Sequence, residues 1–259
     1  MCRIALGYSG IFVFISRLST VCLKSLGIVI MDEAMLLGSA SLARGQGTLY
    51  LFRQGDKFSL TTSPSQQGNW VDDSSQASRQ ALAAISANII AKRFQPKILM
   101  SGLGLGFTLV ELLKQVNLQA HVEISEWMPE LVEWHEGALG EHLGFPVKDQ
   151  RVSVNEMDIS RMLRSKQQRF DAILLDTDNG PEDLLFKEND WLYTFAGLRA
   201  CFEALEPKGV LAIWSPVISE TLKGKLVRAG FMVEQRNVQA NEQGLDQHVI
   251  WVAEKLQQD

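Results

Sequence analysis

Three glycines at alternate positions follow a short apolar run in the middle of the chain. Gly102, Gly104 and Gly106 come directly after Lys97–Ser101 and precede a stretch with the apolar pattern of a helix. Glycine lets a backbone approach a ligand closely, and the free N–H groups of a helix N-terminus attract negative charge. The dinucleotide motif G-x-G-x-x-G would need a glycine at position 107, which is Phe107. The spacing therefore favours a nucleoside-binding loop, and a simple tight turn is the alternative.

Carboxylates follow the glycine loop at the predicted ends of three later strands. Glu123, Asp158 and Asp176 all fall at the carboxyl edge of the expected sheet, where ligands bind in folds of this type. Glu123 can accept hydrogen bonds from both ribose hydroxyls, each contributing about 1.5–3 kcal/mol before desolvation. Asp158 is placed to meet an adenine amino group. Each acid also has a simpler interpretation, namely a solvated acid at Glu123, a helix cap at Asp158 and a turn at Asp176. The glycine loop and these three acids, four groups at one edge, together predict a nucleoside site.

Alternating strands and helices must position these groups. Five strand–helix units begin at Lys97, and two final strands flank a polar loop, which suits an antiparallel pair. The predicted fold is α/β, a doubly wound, mostly parallel seven-stranded sheet of methyltransferase type with a small N-terminal β-hairpin element. The predicted strands of the large sheet are 97–101, 121–124, 151–154, 170–175, 210–214, 231–238 and 248–253.

A shorter β element precedes the large sheet. Thr48–Arg53 and Lys57–Thr61 are rich in β-forming residues and flank a glycine turn, which predicts a hairpin. Met31 can serve as a start, so the residues before it are expected to be non-native or disordered. The three expected regions are an extension at 1–30, a small N-terminal β element at 31–72, and a Rossmann-like catalytic domain that binds a nucleoside at 73–259.

Composition excludes several classes of protein. The formal net charge is −5 and no basic cluster is present, which argues against binding to nucleic acid. The apolar run 10–15 is too short for a membrane span because Arg17 and Lys24 follow it. The three cysteines and four histidines show no metal-binding spacing, and scattered cysteines fit a reducing compartment. We expect a cytoplasmic protein with no metal ion and no nucleic-acid or membrane partner.

The stretch 97–215 resembles spermidine synthases and their relatives within the class I S-adenosylmethionine-dependent methyltransferases. The G-x-G-x-G form of the loop is common in proteins that bind S-adenosylmethionine or related nucleosides. The N-terminal hairpin resembles a reduced form of the β domain of that family. The matching segments are Ile98–Gly104, Val122–Ile124, Arg151–Val154 with Asp158, Phe170–Asp176, Leu192–Tyr193 and Leu205–Leu211.

The resemblance implies a role for each acid and a class of substrate. It makes Glu123 the ribose ligand, Asp158 the adenine ligand and Asp176 the base beside the accepting amine. Asp178 corresponds approximately to a second, diamine-binding acid. The implied donor is S-adenosylmethionine or decarboxylated S-adenosylmethionine, the implied acceptor is a small-molecule amine, and a homodimer is expected.

Three departures from the family pattern limit this reading. Spermidine synthases carry an acid between the second and third glycines that binds the aminopropyl amine of the donor, and here that residue is Leu105. Many methyltransferases carry an acid two residues before the first glycine, and here it is Met100. Arg79 stands about where the family closes its polyamine site, and its charge would repel a diamine. Nucleoside binding is therefore better supported than binding of putrescine.

Two classes of function remain open at this stage. The leading hypothesis is a transferase that moves an aminopropyl group to an amine, with methyl transfer as the close alternative. The other class is a non-catalytic nucleoside-binding protein, which the missing tail anchors favour. A dehydrogenase ranks third because of Phe107. Trp214 ends the fifth strand and either forms a wall of the acceptor pocket or is a buried sheet-end aromatic residue.

Overall fold

The computed structural model describes most of the chain after its first 33 residues. The expected extension at 1–30 and the predicted site residue Asp178 lie outside the described residues. Within the described ranges, no helix is both long and apolar enough to cross a membrane. The described ranges are 34–42, 47–65, 69–164, 170–177, 184, 187–241, 243–244 and 246–257.

Four strands near the N-terminus form an antiparallel sheet. In spatial order they are β1 (Met35–Ser41), β2 (Thr48–Gln54), β3 (Lys57–Thr61) and β4 (Asn69–Val71). The predicted hairpin is β2–β3, whose turn contains Gly55 at a φ of 62°. Apolar side chains at alternate positions of β2 and β3 are buried, as a strand with one covered face requires; they are Leu49, Leu51, Phe58 and Leu60.

Seven further strands form the large sheet. They are β5 (Lys97–Ser101), β6 (His121–Glu126), β7 (Val152–Glu156), β8 (Phe170–Leu175), β9 (Leu205–Ser215), β10 (Met232–Gln239) and β11 (Gln247–Glu254). Their order across the sheet is β10-β11-β9-β8-β5-β6-β7, and β11 is antiparallel to both of its neighbours. The other described pairings are parallel. The predicted doubly wound, mostly parallel seven-stranded sheet is therefore confirmed.

Helices cover both faces of this sheet. They are α1 (Gln76–Ile89), α2 (Phe107–Gln115), α3 (Pro129–Glu136), α4 (Ala138–Leu143), α5 (Ile159–Arg164), α6 (Phe195–Ala204) and α7 (Glu220–Arg228). Every residue of β8 is buried. Ile173 and Leu175 face the core formed with α5, α6 and α7, whereas Ala172 and Leu174 face the core formed with α1 and α2. A continuous apolar run is what a strand covered on both faces needs.

The structure corrects several predicted boundaries. The second strand of the large sheet extends to Glu126, two residues beyond the predicted end. The helix that precedes the strand predicted at 210–214 begins at Phe195, after a 3-10 segment at Lys187–Tyr193. Strand β9 begins at Leu205, five residues before the predicted start at 210, and it includes Lys208, whose φ of 61° is left-handed. These shifts matter most for β6, whose end determines which acid lies at the sheet edge.

Candidate active site

A cleft opens at the carboxyl edge of the parallel strands. Four of the predicted site residues line it, and they are Gly102, Gly104, Asp158 and Asp176. This edge is where ligands bind in doubly wound sheets. The order β8-β5-β6-β7 separates the ends of β8 and β7 by three strand spacings, roughly 14 Å. The cleft is thus long enough to hold different parts of one elongated ligand beside different strands.

The glycine loop connects β5 to α2 along this cleft. Gly104 has a φ of 48°, and a Cβ atom there would meet no protein atom within 4 Å, so the backbone faces open space. Gly102 has a φ of 83°, and its Cβ would lie 3.2 Å from the carbonyl oxygen of Asp176. Positive φ values of this kind favour glycine because other residues are strained there. At Gly102 and Gly104 the loop therefore presents bare backbone to the cleft.

The third glycine packs against a buried histidine instead of facing the cleft. A Cβ on Gly106 would lie 2.7 Å from Cε1 of His135. His135 is fully buried, and its Nε2 lies 3.0 Å from the carbonyl oxygen of Gly104, to which it donates. Burial lowers the pKa of His135, while the hydrogen bond to Gly104 opposes this shift, so the ring is neutral at pH 7. His135 supports the glycine loop from the side opposite the cleft.

Glu126 is the carboxylate that ends β6 at the cleft. Its side chain is buried, and Oε2 accepts a hydrogen bond of 3.0 Å from the N–H of Leu103 in the glycine loop. Oε1 accepts a second one of 2.9 Å from the N–H of Met128. Burial raises the pKa of Glu126, although these backbone hydrogen bonds oppose the shift. The N–H of Trp127 is a third backbone donor to this carboxylate, so about one of its roughly four acceptor positions remains for a ribose hydroxyl.

Glu123, the acid predicted to bind ribose, does not line this cleft. It lies in the middle of β6, paired in register with Leu99 and Ser153, and its Oε1 is 3.7 Å from Nε2 of His121. The prediction that Glu123 ends its strand is wrong, because pairing with the neighbouring strands continues to Glu126. The two acids are three residues apart and therefore point to opposite faces of the sheet.

Asp158 follows β7 and fulfils the capping interpretation. Its Oδ1 accepts a 2.6 Å hydrogen bond from the N–H of Ser160 at the start of α5. The residue is half-buried and also lines the cleft, next to Met157 and Ile159. A carboxylate has about four acceptor positions, so capping one N–H leaves others for a ligand. The two interpretations of Asp158 are therefore compatible.

Asp176, the predicted base, forms a buried ion pair. Its Oδ1 contacts Nη1 of Arg79, and its Oδ2 accepts a 2.6 Å hydrogen bond from Oγ1 of Thr108. The side chains of Arg79 and Asp176 are only 5% and 8% exposed. Burial lowers the pKa of Arg79 to about 10, and the charge of Asp72 opposes the shift. The guanidinium therefore remains charged at neutral pH, and Asp176 has a permanent counter-ion.

Trp214 supports the arginine of this pair from behind. The guanidinium carbon of Arg79 lies 4.2 Å from the centroid of the indole, a cation–π contact. Nε1 of Trp214 donates to Oγ of Ser78 at 2.9 Å, and the ring meets His248 edge to face at 5.0 Å between centroids. Trp214 is buried. Of the two interpretations of Trp214, the structure therefore supports the buried sheet-end aromatic residue. The contacts of Thr108, Ser78 and His248 with this group were not predicted from the sequence.

The two positions without tail-binding acids point away from the cleft. Leu105 is buried in the core shared with the N-terminal sheet, together with Leu49 and Leu131. Met100 is fully buried in the core beneath α1 and α2. Within the described ranges, no group of three or more His, Cys, Asp or Glu side chains could hold a metal ion. Any charge that binds the reacting end of a ligand must come from elsewhere in the cleft.

The fold is of the class I methyltransferase type found in spermidine synthases. The spermidine synthase of Thermotoga maritima superposes with a TM-score of 0.64 at 18% identity, covering 85% of this chain and 72% of that enzyme. A spermidine synthase in complex with the transition-state analogue AdoDATO has a TM-score of 0.63, the same identity and the same coverage. Human methyltransferase-like protein 13 in complex with SAH has a TM-score of 0.51 at 15% identity, covering 72% and 82% of the two chains. Neither a protein-family model nor a curated protein sequence matches the chain.

Proposed function

We propose that the chain is a transferase whose donor substrate is S-adenosylmethionine or decarboxylated S-adenosylmethionine. The observation that carries the proposal is Glu126, which is buried at the end of β6 and hydrogen-bonded to the glycine loop. A carboxylate held in this way beside bare backbone suits a hydroxyl of a ribose. Asp158, two strand ends along the carboxyl edge from the loop, is the proposed adenine ligand. The proposal replaces Glu123 by Glu126 and keeps Gly102, Gly104 and Asp158.

The reaction would take place beside β8, at the other end of the cleft. A neutral acceptor amine attacks the carbon bound to the sulfonium, a C–N bond forms, and the C–S bond breaks. Sulfur keeps the electron pair and becomes a neutral thioether. Asp176 is the proposed acceptor of the proton that the amine loses. The remaining contribution of the site is to hold donor and acceptor in line.

Two transferred groups fit this scheme. Aminopropyl transfer is supported by the resemblance to spermidine synthases and by the fold shared with two of them. Methyl transfer is supported by the fold shared with a methyltransferase-like protein in complex with SAH. The two donors share the adenosyl end that Glu126 and Asp158 would bind, and they differ only in the tail.

A non-catalytic nucleoside-binding protein is the second candidate, and one observation favours it. Asp176 already has Arg79 and Thr108 as partners, so its carboxylate is occupied before any substrate arrives. Such a protein would bind the nucleoside without turnover. The division into an N-terminal element at 31–72 and a catalytic domain at 73–259, the homodimer and the cytoplasmic location all stay predictions.

Calorimetric titration followed by a transfer assay tests the proposal. We expect methylthioadenosine and S-adenosylhomocysteine to bind, and NAD to bind at least about tenfold more weakly because position 107 is not glycine. Incubation with each sulfonium donor and a panel of amines should give a product that mass spectrometry identifies as methylated or aminopropylated. Absence of adenosyl binding contradicts the whole proposal, whereas binding without product supports the non-catalytic candidate.

A further inference from the structure

The reacting end of the cleft contains one positive and one negative side chain in contact. Among the described residues that line the cleft, Arg79 is the only basic side chain. It is fixed from three directions, by Asp176, by a 3.1 Å hydrogen bond from Nε to Oγ of Ser75, and by the indole of Trp214. The other acids of the described cleft, Glu126 and Asp158, belong to β6 and to the segment after β7. Among the described residues, the charged side chains that line the cleft beside β8 are Arg79 and Asp176, and Asp72 adds a negative charge that acts on Arg79.

A diamine is a poor match for this arrangement. One ammonium could approach Asp176, but that carboxylate is already neutralised by Arg79. The second ammonium would add positive charge near a buried guanidinium, and like charges in a partly dehydrated site repel strongly. Breaking a buried ion pair without replacing either partner is also costly. Binding of a substrate with two positive charges is thus unfavourable at both of its charged groups.

From this geometry we infer that the acceptor is an α-amino acid or a molecule with an α-amino acid group. Its carboxylate would bind the guanidinium of Arg79, and its amino group would lie beside Asp176. An α-amino acid carries its two charged groups on one carbon, so they are as close together as the two side chains that would receive them. The zwitterion can insert between Arg79 and Asp176 and give each of them a new partner. Arg79 is then a specificity-determining residue of the proposed transferase.

The same insertion would prepare the base. A carboxylate paired with an arginine is a weaker proton acceptor than one without a counter-ion. When the carboxylate of the acceptor takes over Arg79, Asp176 loses its positive partner and becomes better able to accept a proton from the ammonium. The amine that results attacks the sulfonium-bound carbon, and the C–S electron pair goes to sulfur. A diamine cannot release Asp176 in this way, because it brings no anion for Arg79.

Matched acceptors test this inference, which rests on the proposed function. The full-length chain is incubated with each sulfonium donor and, separately, with each of the twenty common α-amino acids, putrescine and 1,3-diaminopropane. Glycine and ethylenediamine form a matched pair that differs in one charged group. We expect at least one α-amino acid to be modified about tenfold or more faster than any diamine, the effect of one charge-assisted hydrogen bond.

Three arginine variants test the role of Arg79, one of them at a control position. Arg79→Gln should lower kcat/KM for the amino acid about tenfold or more, chiefly through KM, and should abolish the preference over diamines. Arg93→Gln removes an ion pair between the chain that follows α1 and β8, away from the cleft, and should change neither value. Binding of methylthioadenosine reports whether each variant is folded, and Arg79→Lys, which retains the charge, should restore part of the preference.

Three results would overturn the inference. They are a wild-type preference for diamines, an equal effect of Arg79→Gln on both acceptor classes, and nucleoside binding without transfer to any amino acid. If Arg79→Gln does not fold, the wild-type preference between matched acceptors decides alone. Absence of nucleoside binding by the wild-type chain would contradict the proposed function itself, and not only the inference about the acceptor.

Discussion

Two ion pairs join the region of α1 to β8, one at each end of the strand. Arg79 and Asp176 meet at the carboxyl end, with side chains only 5% and 8% exposed. Arg93 and Asp171 meet at the amino end, where Nε and Oδ1 are 3.1 Å apart and the arginine side chain is 37% exposed. The two pairs have the same chemistry and connect the same parts of the chain. They differ in what else surrounds them.

The described neighbours of the amino-end pair belong to the framework of the sheet. Oδ2 of Asp171 accepts a hydrogen bond of 2.9 Å from the N–H of Lys97, which ties the start of β8 to the start of β5. The carboxyl-end pair also faces a cleft, contacts the start of α2 through Thr108 and is supported by Trp214. A buried pair costs more desolvation than an exposed one and contributes little net stability. Under the proposed function, the carboxyl-end pair serves the ligand, whereas the amino-end pair serves the fold.

Substitution of the two acids gives the largest expected contrast. Asp176→Asn should lower turnover of the proposed transferase by about 10²–10⁴-fold, because asparagine cannot accept the proton. Asp171→Asn should leave turnover per folded molecule unchanged, since it lies at the opposite edge of the sheet. Steady-state kinetics with mass detection measures both. Full turnover by Asp176→Asn would show that Asp176 is not the catalytic base. The acids at the two ends of β8 would then not differ in their effect on turnover.

Removal of the two arginines should separate the pairs by stability. Arg79→Met leaves the carboxylate of Asp176 buried without its counter-ion and should lower the free energy of unfolding by about 3–5 kcal/mol. Arg93→Met affects a pair in which the arginine is partly exposed and should cost about 0–1 kcal/mol. Urea unfolding followed by circular dichroism gives both values.

A double variant sharpens the same comparison. Arg79→Met combined with Asp176→Asn removes both charges, so it should recover a large part of the stability lost by the single change. Equal losses for the two single arginine variants would show that burial does not distinguish the pairs.

The pH dependence of nucleoside binding reports on the same edge of the sheet. Burial raises the pKa of Glu126 above the ordinary value of 4.5, and only the ionised group has both oxygens free of protons. Nucleoside affinity should therefore be full above the raised pKa and fall as the pH decreases through it, beginning above pH 4.5. For folding the sign is opposite, because ionising Glu126 in the native state lowers stability as the pH rises through that pKa.

Calorimetric titrations between pH 4.5 and pH 8 check this prediction, with the ordinary glutamate value as the lower limit. Glu126→Gln should bind more weakly and without this dependence. If nucleoside affinity depends on pH in the same way in Glu126→Gln and in the wild type, a group other than Glu126 causes the dependence.

Much of the fold could be predicted because its strands are marked locally. Strands β5 and β8 begin and end where the sequence predicted, since each is an apolar run bounded by glycine or aspartate. Strands β1 and β4 were not predicted from the sequence. Strand β4 is only three residues long. Strand β1 contains Gly38, where a Cβ atom would meet the indole of Trp134. Pairing with neighbours, rather than local propensity, makes these two segments strands.

The candidate site was less predictable because its contacts are distant along the chain. The segment His121–Glu126 carries two acids, and alternation alone does not tell which one ends the strand. That end is determined by pairing with Ser101 of β5 and Glu156 of β7. Arg79 and Asp176 are 97 residues apart, so no local pattern could indicate that the predicted base already has a partner.

The most direct test of the central claim is nucleoside affinity in two glutamine variants of β6. Glu126→Gln should weaken binding of methylthioadenosine about tenfold or more, because a charged acceptor for a ribose hydroxyl becomes a neutral amide. Glu123→Gln, three residues earlier and outside the cleft, should bind with the wild-type dissociation constant. Isothermal titration calorimetry measures both. Weaker binding by Glu123→Gln with unchanged binding by Glu126→Gln would contradict the account.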